Sequence, residues 1–140
     1  MKNLLFLFLL IPICALSQNS LEEVPIFPGC ENKRNKRKCF KKKLRQHILT
    51  FFYYPKEAIV RKEEGKVYIQ FVINSDGVIS SIKARAPYKS LKEAAIKIIS
   101  SLSSNKFIPG KVDGKNVDVP FTIPMTFRLA SQSCELQTFH

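Results

Sequence analysis

The stretch Val119–Leu129, VPFTIPMTFRL, sets an apolar residue at every odd position and a polar residue or proline at every even one. A period of two with one apolar set is a strand with one buried face. Pro120 and Pro124 both belong to the even set. Alternate residues of an extended strand aim their N–H groups at the same side, so the two prolines remove donors from one edge alone. A strand with donors on one side only belongs at the margin of its sheet. Such a margin is either blunted against stray pairing or kept as a place where another chain adds a strand. The prolines blunt the first half. Thr126 and Arg128 keep their donors, so the second half is expected to receive any incoming strand.

Working back from that strand, Lys66–Ile73 alternates, with Val67, Ile69, Phe71 and Ile73 on one face. Asn74-Ser-Asp-Gly77 is a turn, because Asn and Gly tolerate positive φ, and Val78–Arg85 follows as the second arm of an antiparallel hairpin. Ser90-Leu-Lys-Glu93 has the form of a capping box. Leu91, Ala94, Ala95, Ile98, Ile99 and Leu102 then make one apolar stripe, which predicts a helix over 90–103. Phe107–Gly110 ends the connection, and Asp113-Gly114 makes a further turn. Upstream, Phe40, Leu44, Ile48 and Phe51 or Phe52 recur at helical spacing, predicting a helix over 36–52. Pro55 stops it by disfavouring helical geometry in the residue before it, and 55–60 reads as a short turn. The order helix, strand, strand, helix, strand implies an α+β fold: a small two-layer sandwich with a three-stranded antiparallel sheet and helices on one face.

A chain of 140 residues fits one domain and a leader. Met1–Asn3 is a short positive start, 4–16 is almost wholly apolar, and Ala15-Leu16-Ser17 has the small-x-small form that precedes cleavage. Residues 1–17 read as a secretory signal peptide, since an apolar run of about 13 residues is short of the roughly 20 a span needs. An extended lead-in over 18–35, the domain over 36–129 and a tail over 130–140 complete the expected organisation, in an exported compartment. Export favours a local disulfide between Cys30 and Cys39, which flank a polar loop. Cys134 remains as a free or intermolecular thiol.

The net charge of +12 is concentrated. Between Glu31 and Arg45 stand Lys33, Arg34, Lys36, Arg37, Lys38, Lys41, Lys42, Lys43 and Arg45 against a single acid, Glu31, a local charge of +8. No aromatic residues interleave as a stacking platform for nucleic acid would require. The run reads as a solvated helix face or as a patch for anionic envelope components. No metal-ligand spacing, phosphate loop or catalytic pairing stands out. His47 falls in the basic helix as a surface or partly packed residue, and neither an enzyme nor a cofactor is expected.

The ordered set Tyr54-Pro55, Ala58, Gly65-Lys-Val67, Phe71-Val-Ile73, Asp76-Gly77, Pro109-Gly110, Gly114-Lys115, Val117 and Pro124-Met-Thr-Phe127 resembles the C-terminal domain of TonB-type energy transducers. The lead-in Val24-Pro-Ile-Phe-Pro-Gly-Cys-Glu31 is similar to the form in Bacteroidetes-like members. The resemblance implies a periplasmic module that binds a segment of an outer-membrane TonB-dependent receptor, or a Ton motor component, by strand addition. Its family edge strand corresponds to the last strand here, implying partner contacts at Thr122, Pro124, Thr126, Phe127, Arg128 and Leu129, with Tyr54 and Pro55 nearby. Phe107 stands where the family often has tryptophan, and Phe51-Phe52-Tyr53 where some members have a glutamine-proline pair. Lacking the family's membrane helix and proline-rich spacer, the chain is expected to be a stand-alone module. The alternative expectation is a basic envelope adaptor whose patch (Lys36, Arg37, Lys41, Lys42, Lys43, Arg45) binds anionic lipid or polysaccharide.

Overall fold

The computed structural model describes residues 21–130 and 133–137; the expected leader lies outside them. Helix α1 spans Lys36–Phe51. The Asn35 side chain caps it by accepting from the Lys38 N–H at 2.9 Å, and Phe40, Leu44 and Ile48 form its buried stripe. Phe52 is extended, as the approach to Pro55 requires. The segment expected as a plain turn contains a five-residue helix, α2, Lys56–Val60, which drives Ala58 into the core.

Strands β1, Gly65–Ile73, and β2, Ile79–Arg85, form the expected hairpin. At the turn, Asn74 Oδ1 accepts from the N–H groups of Asp76 and Val78 at 3.0 and 3.1 Å, and Gly77 takes a φ of 77°. The register slips between Gln70 and Val72, with Ser81 at a φ of 52°. This is a β-bulge carrying one extra residue in β2. It brings Ile79, Ile82 and Ala84 to the core side although their spacing is not a plain alternation.

Helix α3 spans Lys89–Ser100 and continues as a 3₁₀ turn, Ser101–Ser104. The capping-box expectation fails here. The helix starts one residue early, its N-cap is Tyr88 without a side-chain bond, and the Ser90 hydroxyl donates to the Glu63 carboxylate instead. Glu63 is the buried charged residue of the core margin, so Ser90 satisfies a group that would otherwise be costly to bury. Glu93 lies 3.6 Å from Lys89 in an exposed pair.

Asp113 and Gly114, both at positive φ, join two short strands, β3 (Gly110–Val112) and β4 (Lys115–Val117). Strand β5, Val119–Arg128, lies beside β1 in antiparallel register, from Gly65 opposite Phe127 to Ile73 opposite Val119. The sheet has a fourth strand beyond the three expected: β6, Ser133–Leu136, from the tail, giving the order β2-β1-β5-β6. The odd residues of β1 and β5 face the helices, all buried except the half-buried Gly65 and Phe121, while Tyr68, Gln70 and Thr122 face solvent. The α+β class and antiparallel sheet are as expected.

The lead-in is tied down by bridges of Glu23 to Lys111 and Ile26 to Ile108. Phe27 meets Phe107 edge-on, with ring centroids 5.1 Å apart, and Phe40 stacks on Phe121 at the same distance. A disulfide joins Cys30 to Cys39, so the lead-in is cross-linked to α1.

His47 stacks on Phe51 at 4.4 Å, and its Nε2 lies 2.7 Å from Ser101 Oγ. Since the Ser101 hydroxyl donates to the Ile98 carbonyl at 2.6 Å, Nε2–H is the donor to Ser101. Burial holds His47 below its ordinary pKa. Its contribution to stability is intact above the unfolded value of about 6.5 and is lost as pH falls through the lowered folded value. Lowering the pH from about 7.5 to about 5 is expected to reduce the urea midpoint of the native chain more than that of His47→Gln; equal losses would show that His47 does not contribute.

A Cβ on Gly77 would stand 2.0 Å from the Phe107 carbonyl oxygen, whereas one on Gly114 meets nothing within 4 Å. Gly114→Ala is expected to cost about 1 kcal/mol, from left-handed backbone alone. Gly77→Ala should cost at least about 3 kcal/mol, because backbone must also move. Denaturant titration of the two variants separates these outcomes.

Candidate binding edge

The outer edge of β5 is divided in two. Pro120 sits opposite Val72 and Pro124 opposite Tyr68. Proline has no N–H, so these are the pairs that exchange no bonds with β1, and the even residues of β5 point their backbone groups outward. In the first half the outward groups are the Pro120, Thr122 and Pro124 carbonyls and the Thr122 N–H. In the second half, Thr126 faces Glu135 and Arg128 faces Ser133 of β6. Continued, the same register would bring Pro124 opposite Gln137, where no donor exists, and β6 ends at Leu136. The prolines therefore set how far the chain's own strand can extend.

This corrects the expectation that the half beginning at Thr126 stands open. It holds an unbroken set of donors, as read, but β6 already uses them. Four contacts secure β6. Leu136 is buried against the core, and its carbonyl accepts from Arg45 Nη1 of α1 at 3.3 Å. Arg128 pairs with Glu135 at 3.0 Å, and Lys66 Nζ donates to Gln137 Oε1 at 3.0 Å. The exposed Arg128–Glu135 pair contributes at most about 1 kcal/mol. In β5 itself, Thr126 Oγ1 is buried and makes no hydrogen bond, which costs stability.

The open half of β5 borders a groove of about 520 Å³, whose other walls are Leu21, Val24 and Pro25 of the lead-in and Arg37, Phe40 and Lys41 of α1. Of the residues expected to meet a partner, Thr122 and Pro124 belong to this open half, while Thr126 and Arg128 are paired with β6. Phe127 is a fully buried core residue and Leu129 packs against the core. Tyr54 is also buried, with its hydroxyl donating to the Glu63 carbonyl at 2.7 Å. Burial raises the Tyr54 pKa, and the Glu64 and Glu63 charges add to it. Phe127 and Tyr54 thus support the edge from within, their rings meeting edge-on at 5.6 Å. Pro55 is half-buried at the start of α2.

The basic residues do not form one patch. Arg37, Lys41 and Arg45 run along the β5–β6 side of α1, whereas Lys42 and Lys43 join Lys33, Arg34 and Lys38 on a different face beside the disulfide. Lys36 is exposed in the first turn. Cys134, expected near a loose end, is half-buried in β6. Burial pushes its thiol up to about 11, with Arg45 acting in the opposite direction. Among the described residues, no group of three or more His, Cys, Asp or Glu gathers to hold a metal ion, and no helix is long and apolar enough to cross a membrane.

Solved structures contain a similar fold. The chain aligns with the solution structure of the Helicobacter pylori TonB C-terminal domain, residues 179–285, at 30% identity and a TM-score of 0.53, over 64% of this chain and 80% of that one. A shorter form of that domain, residues 194–285, aligns at 30% identity and a TM-score of 0.48, over 64% of this chain and 94% of that one. A search of curated proteins finds no match. The family model for the Gram-negative bacterial TonB protein C-terminal matches residues 52–129, more than half of the chain, from the end of α1 through β5. The chain therefore belongs to the family of TonB C-terminal domains, the non-enzymatic transducer modules of the Gram-negative envelope.

Proposed function

We propose that the chain acts in the periplasm as a TonB-like module that binds a segment of an outer-membrane receptor, or a Ton-system component, by strand addition along β5, with β6 giving way. The observation that carries this reading is the outer edge of β5, whose donors at Thr126 and Arg128 are covered by only a four-residue strand from the chain itself. Main-chain bonding would supply affinity and the alternating side chains would supply register. The open half adjoining Thr122 gives an arriving segment a first foothold, from which it can replace β6 pair by pair. In this reading Arg45 is a positioning residue, because it holds the Leu136 carbonyl from outside.

Cys134 reports on the exchange, since it is the free thiol of the described residues and travels with β6. Synthetic peptides copied from the N-termini of outer-membrane receptors are expected to shift the β5 amide resonances and accelerate alkylation of Cys134 by iodoacetamide. Ending the chain after Ala130 should tighten peptide binding roughly tenfold, the factor for about 1.4 kcal/mol of β6 pairing. Arg45→Ala should act in the same direction in the intact chain. Peptides that bind while Cys134 stays protected and the truncation changes nothing would place the partner elsewhere. No β5 shift across a broad peptide set would refute strand addition.

A further inference from the structure

Beside the disulfide, Lys33, Arg34, Lys38, Lys42 and Lys43 line a shallow concavity with Gly29, Asn35, Cys39 and Gln46. All five cations are exposed, and among the described residues no carboxylate forms an ion pair with them. Glu31, the nearest acid in sequence, turns back to accept from the Gly29 N–H at 2.9 Å, and backbone hydrogen bonds hold its pKa down. The Cys30–Cys39 bond fixes the loop bearing Lys33 and Arg34 against the helix bearing the other three. The cluster is thus assembled before any partner arrives.

The charge order of α1 is inverted. A helix favours acids in its first turn and bases in its last, because its N-terminus carries partial positive charge. Helix α1 has no acid in its first turn, where Lys36, Arg37 and Lys38 stand, and no base in its last. The fold therefore holds cations against a like field with no counter-charge of its own, a local conflict of the kind functional sites carry. Leu49 continues the outward line of Lys38 and Lys42 at helical spacing and is exposed. A basic helix face with an exposed leucine at its far end suits a bilayer surface, where phosphates meet the cations and the acyl boundary meets Leu49.

We propose that this face of α1 and the disulfide loop docks on the phosphate headgroups of an anionic phospholipid membrane. Among the described residues, none of its five cations lines the β5 groove or forms a hydrogen bond or ion pair with β6, so membrane docking leaves the strand-accepting edge free.

Flotation of the disulfide-bonded chain with phosphatidylglycerol-containing vesicles, and with pure phosphatidylcholine vesicles, tests this. Binding is expected on the anionic vesicles alone and should fall at least about tenfold between about 50 and 500 mM salt. The triple variant Lys38→Glu, Lys42→Glu, Lys43→Glu should abolish it. Lys83→Glu, Lys92→Glu, Lys106→Glu, an equal charge change elsewhere, should leave it within about twofold. Thermal unfolding checks that both variants are folded. Peptide-induced alkylation of Cys134 should persist in the first triple, which separates this test from strand addition. Equal loss in both triples would reduce the effect to net charge. Equal binding to neutral vesicles, or binding to an anionic polysaccharide with none to vesicles, would overturn the assignment.

Discussion

The rest of the structure depends on the antiparallel ladder between β1 and β5, which runs without a slip from Gly65–Phe127 to Ile73–Val119. A shift by one residue would turn every buried side chain of one strand to solvent. Register is therefore set by Val67, Ile69, Phe71 and Ile73 facing Met125, Ile123, Phe121 and Val119. The same register sends Pro120 and Pro124 to the pairs that need no N–H. Shifted by one, it would bring both prolines into bonded pairs and break the ladder at two points. Hydrophobic burial and proline chemistry thus specify the same alignment, and the outer edge of β5 inherits its character from that choice.

Much of this was legible in the residues. The alternation of β1 and β5 and the stripes of α1 and α3 are long enough that one period dominates, and those elements lie close to where their patterns put them. The bulge in β2 was readable in principle, since Ile79 and Ile82 cannot share a face in a regular strand. Helix α2 was hidden by its five residues, too few to display a period. Ser90 mimicked a cap because the competing partner, Glu63, is distant in sequence and local patterns contain no trace of it.

At the binding edge, the one-sided prolines were visible, but the state of the other half was not. Ser133–Leu136 alternates, with Cys134 and Leu136 as its apolar set, but four residues are too few for the pattern to mark a strand. It becomes one only because Thr126 and Arg128 offer donors and the core offers a place for Leu136. Tyr54 and Phe127 were legible as part of the family pattern, yet pattern alone does not tell a residue that touches a partner from one that shapes the surface from behind. The basic run was similarly visible as a quantity of charge. Its division into two faces follows from helix geometry and the cross-link.

The bulge at Ser81 bears on assembly. It distorts the opposite margin of the sheet, where the positive φ of Ser81 interrupts the regular row of donors and acceptors and the exposed Lys83 and Arg85 add repulsion. Under the proposed strand addition, the sheet would be receptive on one side and closed on the other. A module that can accept a strand but offers no matching margin to a second copy cannot propagate pairing from molecule to molecule. In the strand addition proposed above, each event would end where it begins, because the β2 margin offers a second copy no regular row to pair with.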